Sequence, residues 1–247
     1  MRKLSTTQRR KQLVSIMVVG ILILVLAVAG IGIHIISKYI PSKEQMNLTE
    51  YYGQPAEGEM VLVLGTDIME ERALKSGDQI YLPQDIVSTY LNQRYYWDSG
   101  NQQILYATPS SLEKFPASEA GDGEVWVRDG KVYLSLSFVQ KYTDLDFYEY
   151  QEPARVVIRH EFTGVNVATV KKDTSIRYRG GIKSPVLTEV KKGDTLIYMQ
   201  ALEDWVQVST MDGYIGYVQK KVLSDMETTD FERNFEKEDY TYLTMED

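Results

Sequence analysis

The longest apolar run in the chain covers residues 13–36, which read LVSIMVVGILILVLAVAGIGIHII and include no formally charged side chain. At about 1.5 Å per residue, a helix of this length would cross a hydrocarbon core about 30 Å thick. The residues before it include several lysines and arginines and no acid, which favours a cytoplasmic N-terminus. The pattern therefore predicts a cytoplasmic basic tail (1–12), a single N-terminal transmembrane helix (13–36) and extracellular domains beyond it.

Two alternatives fit this run less well. Ala27, Val28 and Ala29 resemble a signal-peptidase site, but the apolar run continues past them and exceeds the roughly 7–15 residues of a cleavable signal. A buried helix of a soluble domain is disfavoured because the segment is apolar on every face. His34 has no ionisable partner within the span, so we interpret it as an interfacial residue.

Beyond the run, residues 37–58 have mixed polarity and no clear period, and they predict a spacer. Short apolar segments rich in β-branched and aromatic residues then predict strands, and Pro83 marks the start of a short helix. Turns are expected at Ser99-Gly100-Asn101 and at Asp129-Gly130. The predicted strands include Met60–Val63, Ile80–Leu82, Tyr95–Asp98, Gln103–Tyr106, Val125–Val127, Val132–Leu134 and Val156–Ile158.

This pattern occurs twice at an offset of 52 residues. Ile80-Tyr81-Leu82 corresponds to Val132-Tyr133-Leu134, and Ile104-Leu105-Tyr106 corresponds to Val156-Val157-Ile158. An internal duplication of this kind predicts one α+β domain over residues 59–160.

The two copies, YLPQDIVSTYLNQRYYWDSGNQQILY and YLSLSFVQKYTDLDFYEYQEPARVVI, resemble the copper amine oxidase N-terminal-like domain. In exported proteins of Gram-positive bacteria, domains of this kind usually serve as a stalk or a binding accessory. The resemblance implies the same role here. The name does not imply copper here, because a copper site needs several imidazole or thiolate ligands. The predicted domain contains only His160 and no cysteine, so no metal site and no cofactor are expected.

Residues 165–225 alternate short strands with turns, as in a small all-β barrel. The segments SIRYR, SPVL, KKGD, WVQV and DGYIGYV resemble the bacterial SH3 domain over its whole length. The predicted fold class is therefore a single N-terminal transmembrane helix, then an α+β duplicated domain and a small all-β SH3-like barrel.

The resemblance to the bacterial SH3 domain implies attachment to cell-wall peptide or glycan. Tyr178, Trp205, Tyr214 and Tyr217 are the candidate residues of the ligand-binding groove, because aromatic rings pack well on sugar faces and short peptides. Trp205 and one or two of these tyrosines would fit the barrel core equally well, and both readings stay open.

Composition excludes several other functions. The chain has no cysteine, a net charge of −8 and only two histidines, which leaves little for nucleophilic or acid-base catalysis. The one dense basic cluster precedes the apolar run, so nucleic-acid binding is not expected. Asp144, Asp146 and Glu149 resemble the acidic run of a glycosidase, but Glu149 would point away from the other two, and no catalytic residue is predicted.

Residues 226–247 hold eight acids and two bases and predict an acidic linker or tail. The order of the segments resembles the N-terminal half of membrane-anchored glycoside hydrolase family 18 proteins. Two hypotheses follow: a wall-binding accessory protein, or the anchoring and targeting part of a family 18 hydrolase whose catalytic barrel is not in these residues. A sensor of wall state is a weaker third, because few residues would lie in the cytoplasm.

Overall fold

The described part of the protein is built mostly from β-strands, arranged in three sheets. The computed structural model describes residues 17–28, 30 and 37–233. Two sheets have seven strands each, and a third has three. Within the described residues, the helices after residue 47 are short: Leu48–Tyr52, Gln84–Ile86, Leu136–Tyr142, the π-helical turn Val87–Leu91 and the 3-10 turn Lys220–Val222.

The structure overturns the predicted membrane span and the localisation that followed from it. No helix among the described residues has both the length and the apolar character needed to cross a bilayer. Residues 13–16, 29 and 31–36 of the predicted span lie outside the described residues. The prediction of a single-pass membrane anchor is therefore wrong.

The first sheet contains strands from both copies of the predicted duplication. Its strand order is β7-β8-β3-β2-β1-β10-β9, with β1 and β10 parallel and the other pairs antiparallel. The strands are β1 (Glu59–Leu64), β2 (Asp67–Ser76), β3 (Gln79–Pro83), β7 (Val125–Arg128), β8 (Lys131–Ser135), β9 (Asp146–Gln151) and β10 (Ala154–Arg159).

The equivalent strands of the two copies pair with each other. β3 and β8 run antiparallel with Leu82 opposite Leu134, which are the same position in the two repeats. An antiparallel pairing centred on equivalent residues is what a local two-fold relation between the copies requires. The hairpins that follow diverge, since β9 and β10 join the first sheet. Their counterparts form the three-stranded sheet β4 (Tyr95–Asp98), β5 (Gln103–Ala107) and β6 (Leu112–Pro116).

The α+β assignment of residues 59–160 is also wrong, because strands dominate this region. Residues 67–76 read DIMEERALKS, a sequence of good helix formers that showed no strand signal. They nevertheless form β2, which lies between β1 and β3 and satisfies the backbone groups of both. Pairing on both edges outweighed local propensity here.

The second sheet has the order β13-β12-β16-β15-β14-β11-β17, with antiparallel neighbours throughout. Its last strand lies just beyond the predicted barrel limit of residue 225. The strands are β11 (Val165–Thr169), β12 (Thr174–Arg177), β13 (Val186–Val190), β14 (Thr195–Ala201), β15 (Trp205–Ser209), β16 (Ile215–Gln219) and β17 (Glu227–Thr229).

One face of the first sheet packs directly against the second sheet. Along β1, Met60, Leu62 and Leu64 point into the core of the first sheet, while Val61 and Val63 point to the opposite face. There they join Val157 and the buried residues of the second sheet in one continuous apolar cluster. Fully buried valines on both sheets give this contact several kcal/mol of hydrophobic stabilisation, at about 25 cal/mol per Å².

Candidate functional site

Trp205 is a surface aromatic residue and lies outside the apolar core. It opens β15, in which Val206 and Val208 are fully buried while Trp205 and Gln207 occupy the other face and are only partly buried. The loop at Gly180 lies on the indole, where an added Cβ atom would be 3.3 Å from Trp205 Cγ. Trp205 is therefore not part of the barrel core, and its place in a ligand-binding groove stays a prediction.

Two clefts meet at this indole. Their volumes are about 520 Å³ and about 620 Å³, within the range of ordinary ligand pockets. Ile182, Trp205 and Gln219 line both clefts, so the tryptophan lies where the two join. An aromatic ring beside amide groups can stack on a sugar ring or on a flat peptide segment while its neighbours form hydrogen bonds.

The N-terminal segment of the structured region forms one wall of the first cleft. We call residues 40–52 the strap. Gln45 pairs in parallel with Val186 on the edge of β13. Backbone hydrogen bonds run from Val186 N to Glu44 O and from Met46 N to Val186 O, both at 2.7 Å. The cleft therefore lies between the strap and the second sheet.

A buried arginine lies at the base of this cleft. Arg177 ends β12 and is only 7% exposed. Its Nη1 donates to the carbonyl oxygens of Ser42, at 3.0 Å, and Ser184, at 2.6 Å. One guanidinium nitrogen thus joins the strap to the loop before β13. Burial lowers the pKa of Arg177, and the Glu189 carboxylate partly offsets this effect.

Tyr217 extends the aromatic surface beside Trp205. In the antiparallel pairing of β15 with β16, Trp205 lies opposite Gln219 and Gln207 lies opposite Tyr217. Residues two apart on a strand share a face, so these four side chains lie on the same side of the sheet. Trp205 and Tyr217 are diagonal neighbours within reach of one extended ligand.

Tyr178 and Tyr214 instead face the strap. The ring of Tyr178 meets the edge of Tyr51, with centroids 6.0 Å apart, and the ring of Tyr214 lies 5.8 Å from that of Tyr52. Tyr214 is 9% exposed. The four aromatic residues predicted to line one groove therefore divide into two pairs, and Trp205 and Tyr217 are the pair on the outer face.

Sequence reasoning missed the strap as part of the site. Residues 37–58 showed no period, because this segment makes its contacts through backbone pairing and a few long side chains. One local signal was present: Asn47-Leu48-Thr49-Glu50 has the form of a helix N-cap. The Asn47 side chain accepts hydrogen bonds from the backbone nitrogens of Thr49, at 2.9 Å, and Glu50, at 3.3 Å.

The acidic residues once compared with a glycosidase site have structural partners. Glu149 forms a salt bridge with Lys75, and this hydrogen bond lowers the pKa of Glu149. A general acid needs a raised pKa, so the shift has the wrong sign for that role. Asp144 forms a salt bridge with Arg233 at 3.4 Å, and Asp146 is buried on β9. None of the three lines either cleft at Trp205.

His160 lies elsewhere, between the two large sheets. It lines a small, partly open cavity of about 40 Å³ together with residues of both sheets, and a larger open cleft of about 510 Å³ beside β2. Burial lowers its pKa. In the part of the chain that the structure describes, no three His, Cys, Asp or Glu side chains come together as a metal-binding group.

Comparison of the chain with protein-family models, curated proteins and solved structures found no match. The candidate site therefore stands on its geometry alone.

Proposed function

We propose that this protein is a binding module that holds an extended peptide or glycan across the two clefts that meet at Trp205. Cell-wall peptidoglycan, which combines both chemistries in one polymer, is the first ligand to test. The proposal is consistent with the resemblance of residues 165–225 to the bacterial SH3 domain, which implies wall attachment.

The observation that carries the proposal is the position of Trp205. A tryptophan usually fills a core or lies flat on one, whereas this one is partly buried where two clefts join. Aromatic anchors at the centre of a binding surface contribute most of its affinity. Polar side chains line the two clefts and can satisfy the hydroxyl and amide groups of a ligand; among them are Gln45, Thr174, Ser175, Gln219, Lys220 and Lys221.

Retention of the full chain on purified, insoluble peptidoglycan tests this function. We expect Trp205→Ala to reduce retention about tenfold or more, because one stacked aromatic ring contributes about 1–3 kcal/mol. Tyr96→Ala is the matched control, since Tyr96 is 69% exposed on the three-stranded sheet, away from both clefts. Equal retention of the Trp205 and Tyr96 variants would remove the support for this site.

A further inference from the structure

The cleft between the strap and the second sheet has an excess of positive charge, although the chain as a whole carries −8. Among the described residues, its charged lining consists of Lys43, Arg177 and Glu189. Two cations and one anion leave a local excess of one positive charge. A cleft walled by protein focuses such a charge and favours an anionic ligand group.

The guanidinium of Arg177 has a free edge. Both of its hydrogen bonds use Nη1, leaving Nε and Nη2 without a hydrogen-bond partner among the described residues. Neither of these nitrogens is fully enclosed by protein. No carboxylate of the described residues forms a salt bridge with Arg177. A charge that is 7% exposed without an ion partner is costly, and a ligand anion would offset that cost.

The Nε and Nη2 edge of an arginine matches the two oxygens of a carboxylate. Two parallel N–H···O bonds form there, and such charge-assisted pairs are stronger than neutral hydrogen bonds. Lys43 adds a second cation from the strap, next to Ser42, whose carbonyl Arg177 already holds. Lys43 is exposed and forms no hydrogen bond or salt bridge through its side chain with the described residues, so its ammonium group is available to a ligand.

We propose that this cleft is a carboxylate-binding subsite, in which the free edge of Arg177 binds the carboxylate, Lys43 supports it and Trp205 packs on the adjoining part of the ligand. The subsite deepens the function proposed above and rests on it. The carboxylate could come from the C-terminus of a peptide or from an acidic sugar, and the experiment below distinguishes these two sources.

The carboxylate already present in this cleft, that of Glu189, allows a second test of the proposal. Glu189 lines the same cleft, and Ser175 Oγ donates to its Oε1 at 2.9 Å. Its negative charge opposes a second carboxylate, so Glu189→Gln should strengthen the binding of a carboxylate about two- to fivefold. If the cleft binds only neutral ligands, Glu189→Gln should not strengthen binding in this way.

The experiment uses two pairs of probes that differ only in charge, titrated into the full chain by calorimetry. One pair is acetyl-trialanine with a free C-terminal carboxylate and the same peptide as its C-terminal amide. The other pair is methyl glucuronide and methyl glucoside. In the wild type we expect one charged probe to bind at least about tenfold more tightly than its neutral twin. A preference confined to the peptide pair assigns the peptide source, and one confined to the sugar pair assigns the glycan.

Variants of the cleft residues then test whether the preference for the charged probe arises in this cleft. Lys43→Gln should reduce it about threefold or more, and Arg177→Gln should abolish it. Lys172→Gln removes an exposed lysine that lines neither cleft, and it should leave the preference unchanged. Because Arg177→Gln also removes two structural hydrogen bonds, the surface variants at Lys43 and Glu189 carry the test independently of folding.

Equal binding of the charged and neutral probes, or no binding of either, would overturn the subsite. So would a preference that survives both Lys43→Gln and Arg177→Gln. These outcomes are separate from failure of the proposed function, which is scored by loss of peptidoglycan retention in Trp205→Ala. If peptidoglycan retention depends on Trp205 but the charged probes are not preferred, only the carboxylate subsite is ruled out and the proposed binding function stands.

Discussion

His160 shows how one buried group can make stability depend on pH. Its Nδ1 is enclosed and has no hydrogen-bond partner among the described residues. Burial lowers its pKa, while the carboxylates of Glu161 and Asp67 act weakly in the opposite direction. The folded protein therefore takes up this proton at a lower pH than the unfolded chain does, so protonation of the unfolded chain begins to reduce the free energy of unfolding once the pH falls below about 6.5.

We expect the free energy of unfolding to fall as the pH drops from about 7.5 to about 5.5. The contribution of His160 should be less than about 1 kcal/mol, because the side chain is only partly enclosed. Chemical denaturation of the wild type and of His160→Gln at several pH values measures it as the difference between the two curves. Glu149 and Asp173, whose pKa values are lowered, contribute only at more acidic pH. Parallel curves for the two proteins would contradict the assignment.

At the scale of elements, the strap completes a part of the second sheet that its own strands leave open. β12 pairs with β16 only at Arg177 and Tyr217, so the backbone of Ile215 has no strand beside it on that side. The Tyr51 hydroxyl fills the gap: it donates to Ile215 O at 2.6 Å and accepts from Ile215 N at 2.8 Å. Burial raises the pKa of Tyr51 to about 12, which keeps the hydroxyl protonated at neutral pH.

Tyr51→Phe should therefore destabilise the protein by about 1–3 kcal/mol, because it leaves a backbone donor and acceptor unpaired. We also expect faster hydrogen exchange at the amide of Ile215. Tyr96→Phe removes a hydroxyl from an exposed ring and serves as the control, with an expected change below about 0.5 kcal/mol. Unchanged exchange at Ile215 would mean that the strap does not hold this edge in solution.

At the scale of the whole molecule, an arginine of the first sheet joins the two large sheets. Arg155 lies on β10 and is 3% exposed. Its guanidinium carbon lies 4.5 to 5.5 Å from the ring centres of Tyr150, Tyr214 and Tyr52. Its Nε donates to the carbonyl of Asp212 at 3.0 Å, in the turn before β16. Arg155 thus connects the first sheet, the strap and the second sheet.

We expect the two sheets to unfold in one cooperative transition, and Arg155→Met to lower the free energy of that transition by about 2–4 kcal/mol. The loss combines desolvated cation-π contacts with the hydrogen bonds that Arg155 donates to the carbonyls of Asp212, Glu152 and Pro153. Denaturation followed by tryptophan fluorescence and by circular dichroism would measure it. Arg179→Met is the control, because Arg179 makes an exposed cation-π contact with Tyr178 and should cost less than about 1 kcal/mol. Two separate transitions in the wild type would contradict the expected coupling.

The local periods of the sequence predicted much of the strand framework. β-branched and aromatic runs gave β1, β3, β4, β5, β7, β8 and β10, and the structure confirms them. The turn at Asp129-Gly130 is also confirmed, with positive φ at both residues. It was predictable because such backbone angles favour the small and polar residues found there. Alternation along WVQV puts Trp205 and Val206 on opposite faces of the strand, but it left open which of the two is buried.

The tertiary structure decided what each strand and each aromatic ring contacts. Residues 67–76 became a strand because β1 and β3 needed a partner between them, and local propensity had favoured a helix. Tyr178 and Tyr214 face the strap, and Arg177 binds Ser42, far away in the sequence. A local period reports which side of an element is apolar, but it carries no information on which distant segment covers that side. For this reason the sequence identified Trp205 as a candidate that fits either the core or a groove wall, while only the fold placed it outside the core and brought the strap and Arg177 around it.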